Sequence, residues 1–266
     1  MTALTFESHD DVTRVRLSHW RSRVAGYEVS VYLQRGVLID SGFPAAAPSI
    51  VALARERGVV AAFVTHHHED HSGGAPALAS AGVPLAMSPE TARRIAPGDP
   101  VALYRRVVWG EPAPLGTFTA APPVAGLELL PAPGHSVDHH VIWDAGRRTL
   151  FGGDLFLGVK VRVAHPEEDP RLLVSTLRRV AALEPERFFD AHRGLIPTPV
   201  AALRLKADWL ETTIASIDDR IARGWDDRTI RRELLGREAF SSYISGGEYG
   251  KRNLVRAVRR TRSVGR

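Results

Sequence analysis

Four of the chain's eleven histidines, His66, His67, His68 and His71, fall within six residues, and Asp70 stands among them. Imidazole nitrogens and a carboxylate at the spacing His66-x-His68-x-Asp70-His71 suit zinc and similar divalent ions. The chain has no cysteine, so every protein ligand to a metal must be His, Asp or Glu. Further candidates stand alone. His135 lies in Pro133-Gly134-His135-Ser136, with His139 four residues on. Asp154 follows Gly152-Gly153, and His192 lies in Asp190-Ala191-His192-Arg193-Gly194. A single histidine at a strand end is most often a hydrogen-bonded structural residue. The argument for a metal comes from the series, because each motif closes an apolar run.

Those apolar runs are the elements that must hold the motifs. Val59 to Val64 reads as a buried strand that ends where the His/Asp cluster begins. Gly73-Gly74 then turns the chain, and Ala75 to Ala81 continues as a helix. An internal position and interspersed acids set the cluster apart from a purification tag. Upstream, Val12 to Leu17 alternates as a half-buried strand does, and Val29 to Leu33 pairs with Gly36 to Ile39 as a hairpin. That hairpin ends at Asp40-Ser41-Gly42. Ile50 to Arg57 is a short helix closed by Gly58, and Ser88-Pro89-Glu90 opens another. A short strand lies near Pro84 to Ala86. Residues 96–126, rich in Pro and Gly, read as an irregular excursion over the surface. Strands are expected at Leu127 to Leu130, Val141 to Trp143, Thr149 to Phe151 and Phe188 to Asp190.

At 266 residues, 44% hydrophobic and 24% charged, the composition is that of an ordinary globular protein with a substantial core. Met1 to Asp11 is polar and acidic, unlike a signal peptide. No apolar stretch approaches the ~20 residues of a membrane span, so a cytoplasmic location is the default expectation. Charge is unevenly placed: residues 200–266 carry 15 Lys+Arg against 9 Asp+Glu. The rest of the chain is close to neutral.

Taken together, His66-x-His68-x-Asp70-His71 with Thr65 and Gly73-Gly74, Pro133-Gly134-His135-Ser136, Gly153-Asp154 and His192 before a glycine resemble the motif series of the metallo-β-lactamase fold superfamily. The resemblance covers about residues 10–198. It implies an α/β (α+β) fold, a four-layer αββα sandwich over residues 1–198. It also implies two divalent metal ions, zinc first, with iron or manganese as other options. His66, His68 and His135 would form one site, Asp70, His71 and His192 the other, with Asp154 bridging. Asp40 and His139 would support the ligands from behind. In the superfamily the two ions share a water and lower its pKa toward neutrality, and Asp70 would steer that nucleophile as the catalytic residue. His192 departs from the family's Gly-His-Gly form through Ala191 and Arg193.

Within the family, Asp154 and the absence of cysteine argue against a β-lactamase. The 38 residues from Asp154 to His192 leave no room for the inserted domain of processing nucleases. No flavodoxin-like segment follows, and a full second ligand set argues against a mononuclear dioxygenase. What remains resembles glyoxalase II, lactonases and hydrolases with a helical C-terminal extension. The expected function is hydrolysis of an ester, thioester or lactone in a small-molecule substrate. A phosphodiesterase or nuclease using the basic tail is the alternative.

Residues 199–266 form the extension. Val200, Leu203, Ala207, Leu210, Ile214, Ile217 and Ile221 make one apolar stripe on a helix of about six turns. A shorter helix runs from an Asp226 cap to Leu235, and a basic one starts near Tyr249. These helices are expected to cap the catalytic domain. Nucleic-acid binding and a homodimer interface along the stripe are the competing readings. Lys160, Arg162, Tyr243, Tyr249, Lys251 and Arg252 are candidates to contact the substrate, each weighed against a solvated basic face.

Overall fold

The computed structural model describes residues 2–24, 26–97, 101–124 and 126–262. Two antiparallel strands, β1 (Ala3–His9) and β2 (Val12–Ser18), open the chain, followed by the one-turn helix α1 (Trp20–Val24). β3 (Val29–Gln34) and β4 (Val37–Ile39) form the expected hairpin, and α2 (Ala47–Glu56) leads to β5 (Ala61–Phe63). The short α3 (Glu69–Ser72) carries part of the His/Asp cluster. α4 (Ala75–Ser80), β6 (Leu85–Ala86), α5 (Pro89–Ile95) and α6 (Leu103–Trp109) complete the first half. β1 to β6 lie side by side in sequence order in one six-stranded sheet.

The second half builds a five-stranded sheet in the order β11-β10-β9-β8-β7. Its strands are β7 (Leu127–Pro131), β8 (His140–Asp144), β9 (Thr149–Phe151), β10 (Arg187–Asp190) and β11 (Gly194–Leu195). α7 (Pro170–Ala181) crosses between β9 and β10, which pair in parallel. The tail forms α8 (Pro199–Ala222), α9 (Asp227–Leu235), α10 (Phe240–Ile244) and α11 (Arg252–Arg262).

Strands β3, β4, β5 and β9 are buried along their whole length. In β4 and β5 this goes with a continuous apolar run, because both faces are covered; β3 alternates as a half-buried strand would, yet Ser30 and Gln34 on its other face are buried too. One face of each sheet packs against the other: Tyr32, Ile39 and Phe63 meet Ile142, Phe151 and Phe189. Phe151 and Phe189 stack with ring centroids 5.4 Å apart. The outer face of the first sheet is covered by Ile50 and Leu53 of α2, Leu78 of α4 and Trp109 of α6. The outer face of the second is covered by α7, α8 and α11. The layers are therefore αββα, as the resemblance implies.

The structure departs from the sequence expectations in several places. The 96–126 excursion contains α6, a regular helix whose Val108 and Trp109 are buried; residues 98–100 and 125 of that stretch lie outside the described residues. Its apolar positions are too few for a periodic signal, and tertiary packing fixes it. The polar N-terminus forms β1, an edge strand whose Ser, Thr and Glu residues occupy partly exposed positions. α7, not anticipated, starts where the Asp169 carboxylate accepts the Arg171 and Leu172 amides ahead of Pro170. The last helix begins at Arg252.

The apolar stripe of α8 is used within the chain. Leu203, Ala207, Leu210, Ile214 and Ile217 share one core with Leu173 and Leu177 of α7 and Leu254 and Val258 of α11. Ion pairs seal its edge: Arg171 to Asp218, and Arg178 to Asp208 and Glu211. Two arginines of the basic helix are also engaged internally. Arg259 pairs with Asp227, and Arg260 donates to the Pro166 and Glu168 carbonyls. No helix among the described residues is long and apolar enough to cross a membrane. Leu210 is 1% exposed, so Leu210→Ala should cost about 2–5 kcal/mol of stability in a urea titration, as leucine truncations in closed cores do.

Candidate metal centre

β4 and β5 pair in parallel, so the segments that follow them emerge on the same edge of the sheet. Asp40, in a left-handed backbone conformation at φ 60°, turns its carboxylate into that space. Oδ1 accepts the Thr65 amide at 2.8 Å and the Thr65 hydroxyl at 2.9 Å. Oδ2 accepts His71 Nδ1–H at 2.8 Å. The threonine hydroxyl has a single hydrogen, directed at Asp40. Its oxygen therefore receives His66 Nδ1–H at 3.0 Å. Both imidazoles thereby turn Nε2 inward.

The other donors are oriented in the same way. His68 Nε2–H donates to Glu167 Oε1 at 2.7 Å, leaving Nδ1 free to face His66 Nε2 at 3.0 Å and His135 Nε2 at 3.1 Å. His135 Nδ1 lies 3.3 Å from Glu168. His192 Nδ1–H donates to the Glu28 carbonyl at 2.7 Å, and Nε2 points at Asp154 and Asp70, 3.2 and 3.5 Å away. A neutral imidazole with one nitrogen tied to an acceptor behind it and a lone pair in front is the arrangement a metal-binding histidine requires. His139 does something different. Its Nδ1–H donates to the Ala132 carbonyl, and its Nε2 accepts the Asp154 amide at 3.1 Å, so it holds the residue rather than an ion.

Two glycines make the convergence possible. Gly134 has φ 135°, and a Cβ there would lie 2.5 Å from Leu173 Cα. Gly153 has φ 51°, and a Cβ would reach His139 Nε2 and Thr65 Oγ1 at 2.9 Å. Only glycine lets α7 back the His135 turn and lets the β9 end touch the β5 end. At the departures Ala191 and Arg193 the segment is held through its backbone, with the Arg193 amide donating to Asp190. The Ala191 carbonyl accepts the Ser30 amide and its amide donates to the Gly153 carbonyl, joining both sheets.

The seven candidate ligands fall into two groups: His66, His68, His135 and Asp154; and Asp70, His71 and His192. Within each, the donor atoms lie within 4.8 Å of one another. Asp154 connects the groups: one carboxylate oxygen is 3.5 Å from His135 Nε2, the other 3.2 Å from both His71 and His192 Nε2. His71 Nε2 and Asp154 Oδ1 are buried and make no protein hydrogen bond. Buried polar atoms are normally satisfied, so these orphans fit divalent ions as their partners.

The titration behaviour agrees. Burial, reinforced by neighbouring imidazoles, pushes His66 and His68 well below the usual histidine range, and His139 to about 3. Around Asp154 the balance reverses. Burial still opposes charge on His192, but the Asp154 and Asp70 carboxylates outweigh it and raise its pKa to about 9. Against the same burial penalty, Asp154, Asp70 and Asp40 hold His71 well above the usual range. Asp154 in turn is held well below the carboxylate range, where His192 and His71 overcome its burial. His66 and His68 thus present neutral nitrogens, while His135, raised against its burial by Glu168 and Asp154, joins His71 and His192 among the groups that draw protons when no cation is bound.

The metallo-beta-lactamase superfamily profile matches residues 25–192, more than half of the chain. The chain belongs to the metallo-beta-lactamase superfamily. Among curated relatives, it is 27% identical over 199 residues to beta-lactamase-like protein 2 homolog of Caenorhabditis elegans, covering 70% of this chain and 63% of that one. It is 34% identical over 153 residues to the hydroxyacylglutathione hydrolase of Rhodobacter capsulatus, covering 56% and 54%. It is 30% identical over 167 residues to an atrochrysone carboxyl ACP thioesterase of Paecilomyces divaricatus, covering 61% and 48%. The chain thus spans roughly half to under two-thirds of the length of these relatives. A metallo-beta-lactamase from Erythrobacter litoralis superposes with TM-score 0.59 at 19% identity, covering 79% of this chain and 96% of that one, a likeness of fold.

A cavity of ≈ 510 Å³ opens over the candidate ligands and is lined by His68, Asp70, His135, Asp154 and His192. Of the six expected substrate contacts, Arg162 and Tyr249 line it. Lys160 lines an adjoining pocket of ≈ 50 Å³ with Arg162 and Lys206. Tyr243 is exposed, Lys251 Nζ donates to the Leu235 and Arg237 carbonyls, and Arg252 lies beside Glu238 on the surface; none of the three lines that cavity. Sequence reading missed Glu167 and Glu168, although the acidic run before Pro170 was a visible signal. It also missed Asp138, which fixes His67 through its amide and Nδ1 and accepts from Ser136 and Thr91. The Glu28 carbonyl and the buried Lys206 carry no sequence signal.

Because His71 and His192 hold protons that ligation must displace, metal uptake should release protons and tighten as pH rises from 6 to 9. Zinc titration by calorimetry in two buffers of different ionisation enthalpy reads both effects. A pH-independent affinity would remove these two residues from the ligand set.

Proposed function

We propose that the chain is a dinuclear metal-dependent hydrolase acting on the thioester of a small-molecule acyl group. The observation that carries this reading is the seven-residue donor set joined at Asp154, with each ligand histidine oriented from behind by a hydrogen bond or close carboxylate and two buried donor atoms lacking protein partners. His66, His68, His135 and Asp154 would hold one ion, and Asp70, His71, His192 and Asp154 the other. Bound divalent ions, zinc by the donor chemistry, supply Lewis acidity and an activated water at neutral pH.

The chain's own residues do the rest. The Asp70 carboxylate faces the cavity from α3, 3.5 Å from His192 Nε2. There it orients the attacking water and can carry its proton to the departing thiolate. Asp40, Thr65, Glu167 and Glu168 keep the imidazoles in one tautomer. His139, neutral because burial holds its pKa at about 3, fixes the Asp154 backbone without competing for a proton. In the overall reaction water adds oxygen to the acyl carbon, the C–S bond breaks, and sulfur leaves as thiol. Thioesters, rather than lactones or phosphodiesters, are favoured because relatives include a hydroxyacylglutathione hydrolase and an acyl-carrier-protein thioesterase. The internal engagement of Arg259 and Arg260 takes charge away from the nucleic-acid alternative.

The test is a panel of thioester, lactone and phosphodiester substrates with zinc-reconstituted protein, followed by chelation. Thioester turnover should exceed the others, vanish on chelation and return with zinc. Asp70→Asn should lower kcat more than it lowers bound metal. Glu168→Gln should cost about 10–100-fold in activity or metal affinity, the usual range for a residue orienting a ligand histidine. Faster hydrolysis of the phosphodiester would overturn the assignment.

A further inference from the structure

The main cavity is lined by aromatic rings as well as by the candidate ligands, and three distant parts of the chain supply those rings. Tyr27 comes from the segment before β3, Trp109 from the end of α6, and Tyr249 from the loop before α11. The rings are in contact. Tyr27 lies 6.1 Å from Trp109 and 5.9 Å from Tyr249, centroid to centroid. Tyr249 also meets Tyr104 at 5.5 Å and His165 at 4.9 Å, both edge-on. Trp109 is anchored from behind by Phe43 at 5.1 Å.

This wall is held rigid as well as assembled. Arg105 of α6 forms a buried bidentate pair with Glu69 in the metal loop and reaches Glu248, the neighbour of Tyr249, at 2.9 Å. Asn253, 3% exposed, donates to the Gly247 and Glu248 carbonyls and to Ala164 beside His165. Preset aromatic surfaces bind planar rings in offset or edge-to-face contact at little ordering cost. Leu157 and Val163 add apolar lining beside the rings, while Arg162, Arg193, Glu28 and Glu168 bring charge to other parts of the same cavity. A cavity of ≈ 510 Å³ is of a size to hold a medium-sized acyl group.

Resting on the thioesterase reading, we propose that the acyl half of the substrate is aromatic, and that Tyr249 and Tyr27, backed by the buried Trp109, form the face its ring lies against. The substrate class is then an aryl or arylalkyl thioester, with the carrier thiol leaving toward solvent.

The experiment compares N-acetylcysteamine thioesters of phenylacetate and cyclohexylacetate, of similar size and hydrophobicity, on the zinc-reconstituted full-length chain. The phenylacetyl thioester should show a kcat/KM about tenfold higher, the worth of one good aromatic contact. Tyr249→Leu should bring that ratio close to one, and Tyr249→Phe should keep it. A readout independent of turnover is the binding of free phenylacetate and cyclohexylacetate, followed by tryptophan fluorescence. Phenylacetate should bind more tightly, and Tyr249→Leu should abolish the difference. Equal turnover and equal binding of the two acyl groups would overturn the proposal. If no thioester is hydrolysed but phenylacetate still binds preferentially and through Tyr249, the aromatic face stands and the thioesterase reading falls.

Discussion

A single buried carboxylate ties the centre together. Asp40 is 2% exposed and closes β4, yet the hydrogen bonds its carboxylate accepts come from Thr65 and His71, both beyond β5. An unpaired charge there would carry a large desolvation penalty, so burial of Asp40 requires Thr65 and His71 to stay where they are. The Thr65 hydroxyl then passes the constraint to His66. The Ser41 amide and hydroxyl both donate to the His71 carbonyl, repeating the tie on the backbone. Two ligand rings, one tautomer each and the path of the loop follow from one aspartate held in a left-handed conformation. The parallel pairing of β4 and β5 is what brings the two segments to the same edge.

The second half of the site is held from farther away. Asp154, His135 and His192 come from strand ends of the other sheet, and Glu168 behind His135 lies, with Glu167 behind His68, in the segment before α7. That segment is gripped by the C-terminal helix: Asn253 donates to Ala164, and Arg260 donates to Pro166 and Glu168. The tail is thus continuous with the site in a physical sense. Its apolar stripe completes the outer core, its last helix sets the position of the acids behind His68 and His135, and its loop contributes Tyr249 to the cavity.

The electrostatics of the two ligand groups are complementary. Burial strips protons from His66 and His68, which makes them ready donors. Carboxylates concentrate negative charge on the side of His71 and His192, where protons stand in for cations. Arg105 balances Glu69 beside this cradle, with its guanidinium held above its usual range chiefly by that carboxylate despite burial. The acids of the metal loop are therefore divided, one neutralised by the protein and one left facing the cavity.

By itself the sequence pointed to the candidate ligands, the strands that carry them and the stripe of α8. These are local facts. A His/Asp spacing within one loop, an apolar run that ends in glycine, and a three-and-four periodicity are all written within a few residues of each other. Tertiary structure alone decided what stands behind the ligands. Glu28 contributes a carbonyl, which has no side-chain signature, and it meets His192 from 164 positions away. Glu168 looks like any surface acid until α11 fixes its segment beside His135. β1 and α6 were illegible because one alternates polar residues at an edge and the other buries only a few positions. The aromatic face is the extreme case: Tyr27, Trp109 and Tyr249 are ordinary in their local contexts, and only the packing of three remote segments brings their rings to one wall.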